Sequence, residues 1–239
     1  MARAQAAAPL QAPAFTRLLA RLAEAEVPSS GPVLAERLGQ WLDWNRAVVL
    51  ARALDGALPE PPAAGTGEGD EVAECARARA SLVEAISTER GLNLPARGLP
   101  DYAPFRQYIL TLQRAMQTAS GRLRGPLRER LAANPALARL AEVDAVMEQA
   151  LSPREYTLLA GVPLMLEARF ERLRAAAPAA ADLPAAAADA ADVASTLPPS
   201  PAPAPWLALF RRDLKDVLLA ELDVRFHPIE GLLAALRTS

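Results

Sequence analysis

Three residues near the end of the chain, Asp223, His227 and Glu230, are spaced i, i+4 and i+7. On a helix that spacing stacks them on one face, the bare geometry of a metal or acid/base cluster. His227 is the only histidine, whereas a zinc site draws on several His or Cys ligands, and Pro228 disturbs the same turn. A surface or capping histidine is therefore expected, with a metal, small-molecule or catalytic site around Asp223, His227 and Glu230 as the alternative. No Ser/His/Asp or Cys/His order carries a flanking motif, so nucleophilic catalysis has no support. The glycines of "GTGEG" (65–69) superficially look like a phosphate loop. They follow a Pro-rich stretch instead of a strand and lack the required Lys and Ser/Thr. Cys75, the only cysteine, allows neither an intramolecular disulfide nor a cysteine metal cluster, which fits a reducing compartment. It reads as a small packed thiol.

A second group is basic. Arg114, Arg122, Arg124, Arg128 and Arg130 are opposed within their own stretch only by Glu129. Arg122, Arg124, Arg128 and Arg130 are the candidate anion-binding residues, because clustered guanidinium groups suit phosphate-rich or acidic partners. No aromatic residues interleave with them, so a solvated helix face is the first expectation and nucleic-acid binding the alternative. A net charge of −2 supplies no global attraction to polyanions, and no nucleic-acid partner is expected. No metal, cofactor or catalytic residue is assigned.

These residues must be positioned by helices. Ala, Leu and Arg dominate the chain and are strong helix formers. Apolar residues recur at helical intervals in "AFTRLLARLAEAEV" (14–27), and helices are further predicted over 32–57, 70–90, 102–123 and 126–133. Asn134–Pro135 and Ser152–Pro153, the latter with Glu155, read as fresh N-termini. They give helices over 135–151 and from 152 to about 177, kinked or ended at Pro163. Gly91 reads as a C′ residue and Asp101 as an N-cap. The last segment, 206–237, is the most strongly periodic, and Pro228 is expected to kink or split it. No run shows period-2 alternation. The fold class predicted is all-α, an antiparallel bundle of about six to eight helices with two disordered or extended linkers. A disordered start (1–13) precedes a bundle over 14–177 with a mobile linker at 58–70. An Ala/Pro-rich linker (178–205) then leads to a C-terminal amphipathic segment (206–239) that packs on the bundle or on a partner.

Two of the three tryptophans, Trp41 and Trp44, lie three positions apart in "LGQWLDWNRAVVL" (38–50). One helix through both would carry them on one face with Val48 and Leu38. Leu34, Leu42, Val49 and Leu50 would widen the apolar surface to most of the circumference, as in a central bundle helix. The pair therefore reads first as core, and otherwise as a partner hot spot. The candidate partner-binding residues are Trp41, Trp44, Phe210, Leu214 and Phe226. The uncharged run from Tyr156 to Leu166 is too short to cross a bilayer, and the N-terminus lacks an apolar signal-peptide core. A cytoplasmic location without a membrane span is expected.

Three stretches carry a family resemblance: "FTRLLARLAEAEVP…LAERLGQWLDWNRAVVLARAL", "SPREYTLLAGVPLMLEARFERL" and "LAELDVRFHPIEGLLAAL". Together they resemble an uncharacterised bacterial, proteobacterial family filed as domain of unknown function number 3348. The similarity covers most of the chain outside the two linkers and implies one coherent helical domain, with no activity, cofactor or catalytic residue to transfer. The resemblance also implies a gene that, as often in this family, lies near membrane proteins with proton-channel-like or peptidoglycan-binding parts. The resemblance thus implies an accessory role beside a cell-envelope complex and contact with a membrane-anchored protein. The functional expectation is a non-enzymatic interaction or scaffold protein that holds a protein partner or a second copy of itself.

Overall fold

The computed structural model describes residues 13–24, 43–58, 70–94, 100–177 and 204–238. Among them are seven α-helices and no strand: α1 (Ala14–Ala23), α2 (Trp44–Asp55), α3 (Glu71–Ser87), α4 (Ala103–Ala133), α5 (Ala138–Leu159), α6 (Val162–Ala175) and α7 (Pro205–Arg237). The all-α class is as expected. The two predicted linkers fall almost wholly outside the described residues.

The two longest helices form the axis of the bundle. Helix α7 offers Leu207, Phe210, Leu214, Val217, Leu218, Leu222, Phe226 and Ile229, all buried, at the three- and four-residue intervals that make one stripe. Helix α4 answers with Phe105, Ile109, Leu112, Met116, Leu123, Leu127 and Leu131. Each such side chain contributes about 1.5–3 kcal/mol of gross hydrophobic stabilisation. Around this pair pack α1, α3 and α6, each in contact with α7. At one end Phe210 sits edge-on to Phe105 and Phe170, with ring centroids 5.1 and 5.0 Å apart, an arrangement aromatic quadrupoles favour. The C-terminal helix thus packs on this chain's own bundle.

Several predicted boundaries move. Helix α4 runs unbroken through Gly125 and Pro126, α5 through Ser152 and Pro153, and α7 through Pro228. A proline removes the bond to the carbonyl four residues back. For Pro126 and Pro153 that carbonyl belongs to Arg122 and Gln149, both exposed, where solvent can take it up. The real break falls at 160–161, between α5 and α6. Helix α1 stops at Ala23 because Glu24 turns left-handed, with φ of 56°. Asp101 and Asn134 accept amides two residues on, from Ala103 and Ala136, but they are not the N-caps predicted: α4 starts after Tyr102, and α5 starts only at Ala138, after Leu137. At the end of α3, Gly91 has φ of 89°, but Glu89 also adopts the left-handed region at 53°.

The largest departure is at the tryptophans. Asp43 is extended and its side chain accepts from the Arg46 amide at 2.8 Å, so the helix begins at Trp44. Trp44 is the first residue of that helix, and Trp41 lies outside the described residues. Helix α2 is peripheral, not central. It packs on α5, and Ala53 is its only buried residue.

Candidate functional site

Helix α5 bears an acidic row, Asp144, Glu148 and Glu155, at i, i+4 and i+11, which fall within about 40° of one another around a helix. This row meets arginines from α4 and α7. Arg124 reaches Asp144 at 2.6 Å and Glu148 at 3.5 Å. Arg128 reaches Asp144 at 3.3 Å and also pairs with Glu148. Burial opposes the charge on Arg128, but Glu148 and Asp144 hold its pKa above the usual arginine value. Arg225, from α7, reaches Glu155 at 3.2 Å.

Beneath this seam the polar contacts continue into the core. Glu221 is fully buried and accepts from Arg225 Nε and Nη2 at 3.0 and 2.9 Å. Gln113 Nε2 donates to Glu221 at 3.0 Å and to the Leu159 carbonyl, at the end of α5, at 3.1 Å. A cavity of about 220 Å³ opens beside these groups, lined among others by Arg124, Glu148, Glu155, Tyr156 and Arg225. A second lobe of about 110 Å³ shares Tyr156 and Arg225 and adds Gln113 and Arg114. Buried charges persist only when paired and hydrogen-bonded, and here they are. The sequence did hold a signal for this site: Glu221 and Arg225 interrupt an otherwise apolar stripe at i, i+4.

The predicted anion-binding arginines each meet a carboxylate of this chain. Arg124 and Arg128 are neutralised by α5, Arg122 pairs with Glu74 at 3.0 Å, and Arg130 pairs with Glu71. Their acidic partners lie far off in sequence, so the run looked unopposed. Arg114 has no ion-pair partner among the described residues and lines the smaller lobe. Asp223 and Glu230 do share a face, and both are claimed by Arg79 of α3. The exposed His227 ring meets the Asp223 carbonyl through Nδ1 at 2.7 Å. Among the described residues no group of three or more His, Cys, Asp or Glu is placed to hold a metal ion. Cys75 is buried, and burial raises its thiol pKa. The "GTGEG" segment lies outside the described residues.

Phe210, Leu214 and Phe226, expected to face a partner, are instead buried inside this chain. Trp44 departs in the other direction. It is 81% exposed, against the expectation of a core tryptophan. With Ala47, Ala51 and Leu54 it forms a row at i, i+3, i+7 and i+10, all exposed, on the side of α2 away from Ala53. That spacing is the one by which helices pack against helices. The inner side of α2 is tied to α5 by Arg139, whose Nη1 donates to the carbonyls of Ala53 and Gly56 at 3.0 and 2.8 Å.

With this geometry in view, comparison with known proteins adds one result. A family model described as "Protein of unknown function (DUF3348)" matches residues 1–238. The chain belongs to this family. Neither the curated proteins nor the solved structures gave a match. None of the helices, among the described residues, is long and apolar enough to cross a membrane.

Proposed function

We propose that this DUF3348 protein is a non-enzymatic helical interaction protein of the cytoplasm, an accessory or scaffold component that holds a protein partner through the outer row of α2. The observation that carries the reading is the placement of Trp44. A tryptophan with four-fifths of its surface in water, continued by Ala47, Ala51 and Leu54 at helix-packing spacing, loses apolar contact that a docking helix would restore. The two alanines leave room for close approach. The charged groups elsewhere support the same reading, because the arginine and carboxylate clusters that would serve a ligand or a reaction already neutralise one another.

A paired substitution tests this. Trp44→Glu with Leu54→Glu alters only exposed positions, so the helical circular-dichroism signal and melting temperature stay near those of the natural chain. Co-purification of a stoichiometric partner from native cells, or self-association by light scattering, is lost in the variant. Equal association by both proteins would remove the α2 row from the account.

A further inference from the structure

Apolar anchoring divides the seven helices into two groups. The main core cluster draws on α1, α3, α4, α6 and α7, takes only Ala141 and Leu159 from within α5, and takes nothing from α2. The buried residues of α5 are Ala138, Ala141, Ala150 and Leu159, three of them alanines, and its larger residues Val143, Val146, Met147 and Leu151 are half-buried. An alanine methyl contributes far less hydrophobic stabilisation than a leucine or phenylalanine side chain. What holds α5 along most of its length is the charged seam, Asp144 and Glu148 against Arg124 and Arg128, with Glu155 against Arg225. Ion pairs contribute less net stability than apolar packing, because each charge regains its hydration when the pair parts.

Among the described residues, helix α2 has no other substantial attachment. It lies on α5, its last carbonyls capped by Arg139. We infer that α2 and α5 form a leaf that opens from the five-helix body as a unit by parting the arginine–carboxylate seam. The hinge lies at the two ends of α5. Asn134 makes the turn that leads in from α4, and at the far end buried Leu159, its carbonyl held by Gln113, precedes the break at 160–161. Opening carries the outer row of α2 with it, and it bares Arg124 and Arg128, whose acidic partners Asp144 and Glu148 both sit on α5. The inference stands on the seam and the core composition, independently of whether α2 has a partner.

Hydrogen exchange on the full chain tests it residue by residue. The slowest amides of α5 and α2 should exchange at least about 100-fold faster than the slowest amides of α4 and α7, the mark of sub-global opening. Neutralising the seam with Asp144→Asn and Glu148→Gln should speed the α5 and α2 amides together, about tenfold or more, with α4 and α7 amides little changed. Should that variant fail to fold, the natural chain suffices. Raising the salt from about 0.05 to 0.5 M should accelerate the leaf a few-fold and leave the core amides unchanged. Equal protection of the slowest amides in α5 and α7 would overturn the inference, as would α2 exchanging independently of α5.

Discussion

Glu221 and Arg225 face each other one helical turn apart inside the bundle, the guanidinium donating through Nε and Nη2 to a single carboxylate oxygen at 3.0 and 2.9 Å. The carboxylate has no exposure to solvent, and its other oxygen is held by Gln113. Removing one partner leaves a buried charge uncompensated, whereas removing both leaves chiefly a packing problem, with Gln113 still bonded to the Leu159 carbonyl. Arg225→Met should therefore cost about 3–5 kcal/mol. The double change Glu221→Leu, Arg225→Met should cost far less, or even stabilise. Urea denaturation of Glu221→Leu, Arg225→Met and the double, read as a cycle, checks this; a double variant as unstable as Arg225→Met alone would refute it.

Acid should weaken the α3–α7 contact through Glu89. Burial disfavours its ionised form, but hydrogen bonds from Arg211 and Lys215 outweigh that and hold its pKa below the ordinary 4.5. The folded value is lowered, so the stabilisation is fully present above pH 4.5 and is lost as pH falls through the lowered value. Glu89→Gln should cost about 1–3 kcal/mol near neutrality. Its stability should also change less than that of the natural chain between neutral and acid pH, a comparison that denaturant melts at several pH values supply.

At the alkaline end two buried phenols matter, Tyr102 and Tyr108. Burial, with Glu89 nearby, pushes the Tyr108 phenol from 10.0 up to about 12, and burial raises Tyr102 as well. A raised folded pKa means stability present below pH 10.0 and lost as pH climbs towards about 12. Tyr108 also donates to the Ala85 carbonyl at 2.9 Å. Tyr108→Phe should cost about 1 kcal/mol at neutral pH and make the alkaline loss shallower without abolishing it, since Tyr102 remains. Phenolate absorbance at 295 nm, recorded beside unfolding, is the direct readout.

Gly56 ends α2 where the chain passes close to its own backbone. A Cβ there would lie 2.4 Å from the Arg52 carbonyl oxygen, which has no freedom to retreat. Gly56→Ala should therefore cost about 1–3 kcal/mol of local stability, felt in α2 and, through Arg139, in α5. Faster amide exchange over residues 44–55, with α4 and α7 unaffected, is the expected result.

How far the sequence reveals all this depends on where each partner lies. The stripe of α7 was legible because Leu207, Phe210, Leu214 and their successors repeat at a helical period that depends on nothing else. Asp101 and Asn134 were legible as turn-makers because their bonds reach only two residues. The prolines misled, since Pro126 and Pro153 sit on faces where the freed carbonyl is exposed and the helix continues. The arginine run misled for the opposite reason: Asp144 and Glu148 stand about one helix away in sequence and meet Arg124 and Arg128 only after the turn at Asn134. The tryptophans misled because Asp43, a polar residue inside an apolar run, caps a new helix. That cap sets Trp44 outward, and periodicity read across it placed both indoles on one buried face.

The most direct test of the docking account is a photoreactive side chain placed at position 44 or 54 and irradiated in native cells. Position 212, exposed on α7, serves as the control. The account predicts one defined adduct, a partner or a second copy of this chain, from 44 and 54 and none from 212. Adducts that are absent from 44 and 54, or equal at all three positions, would contradict it.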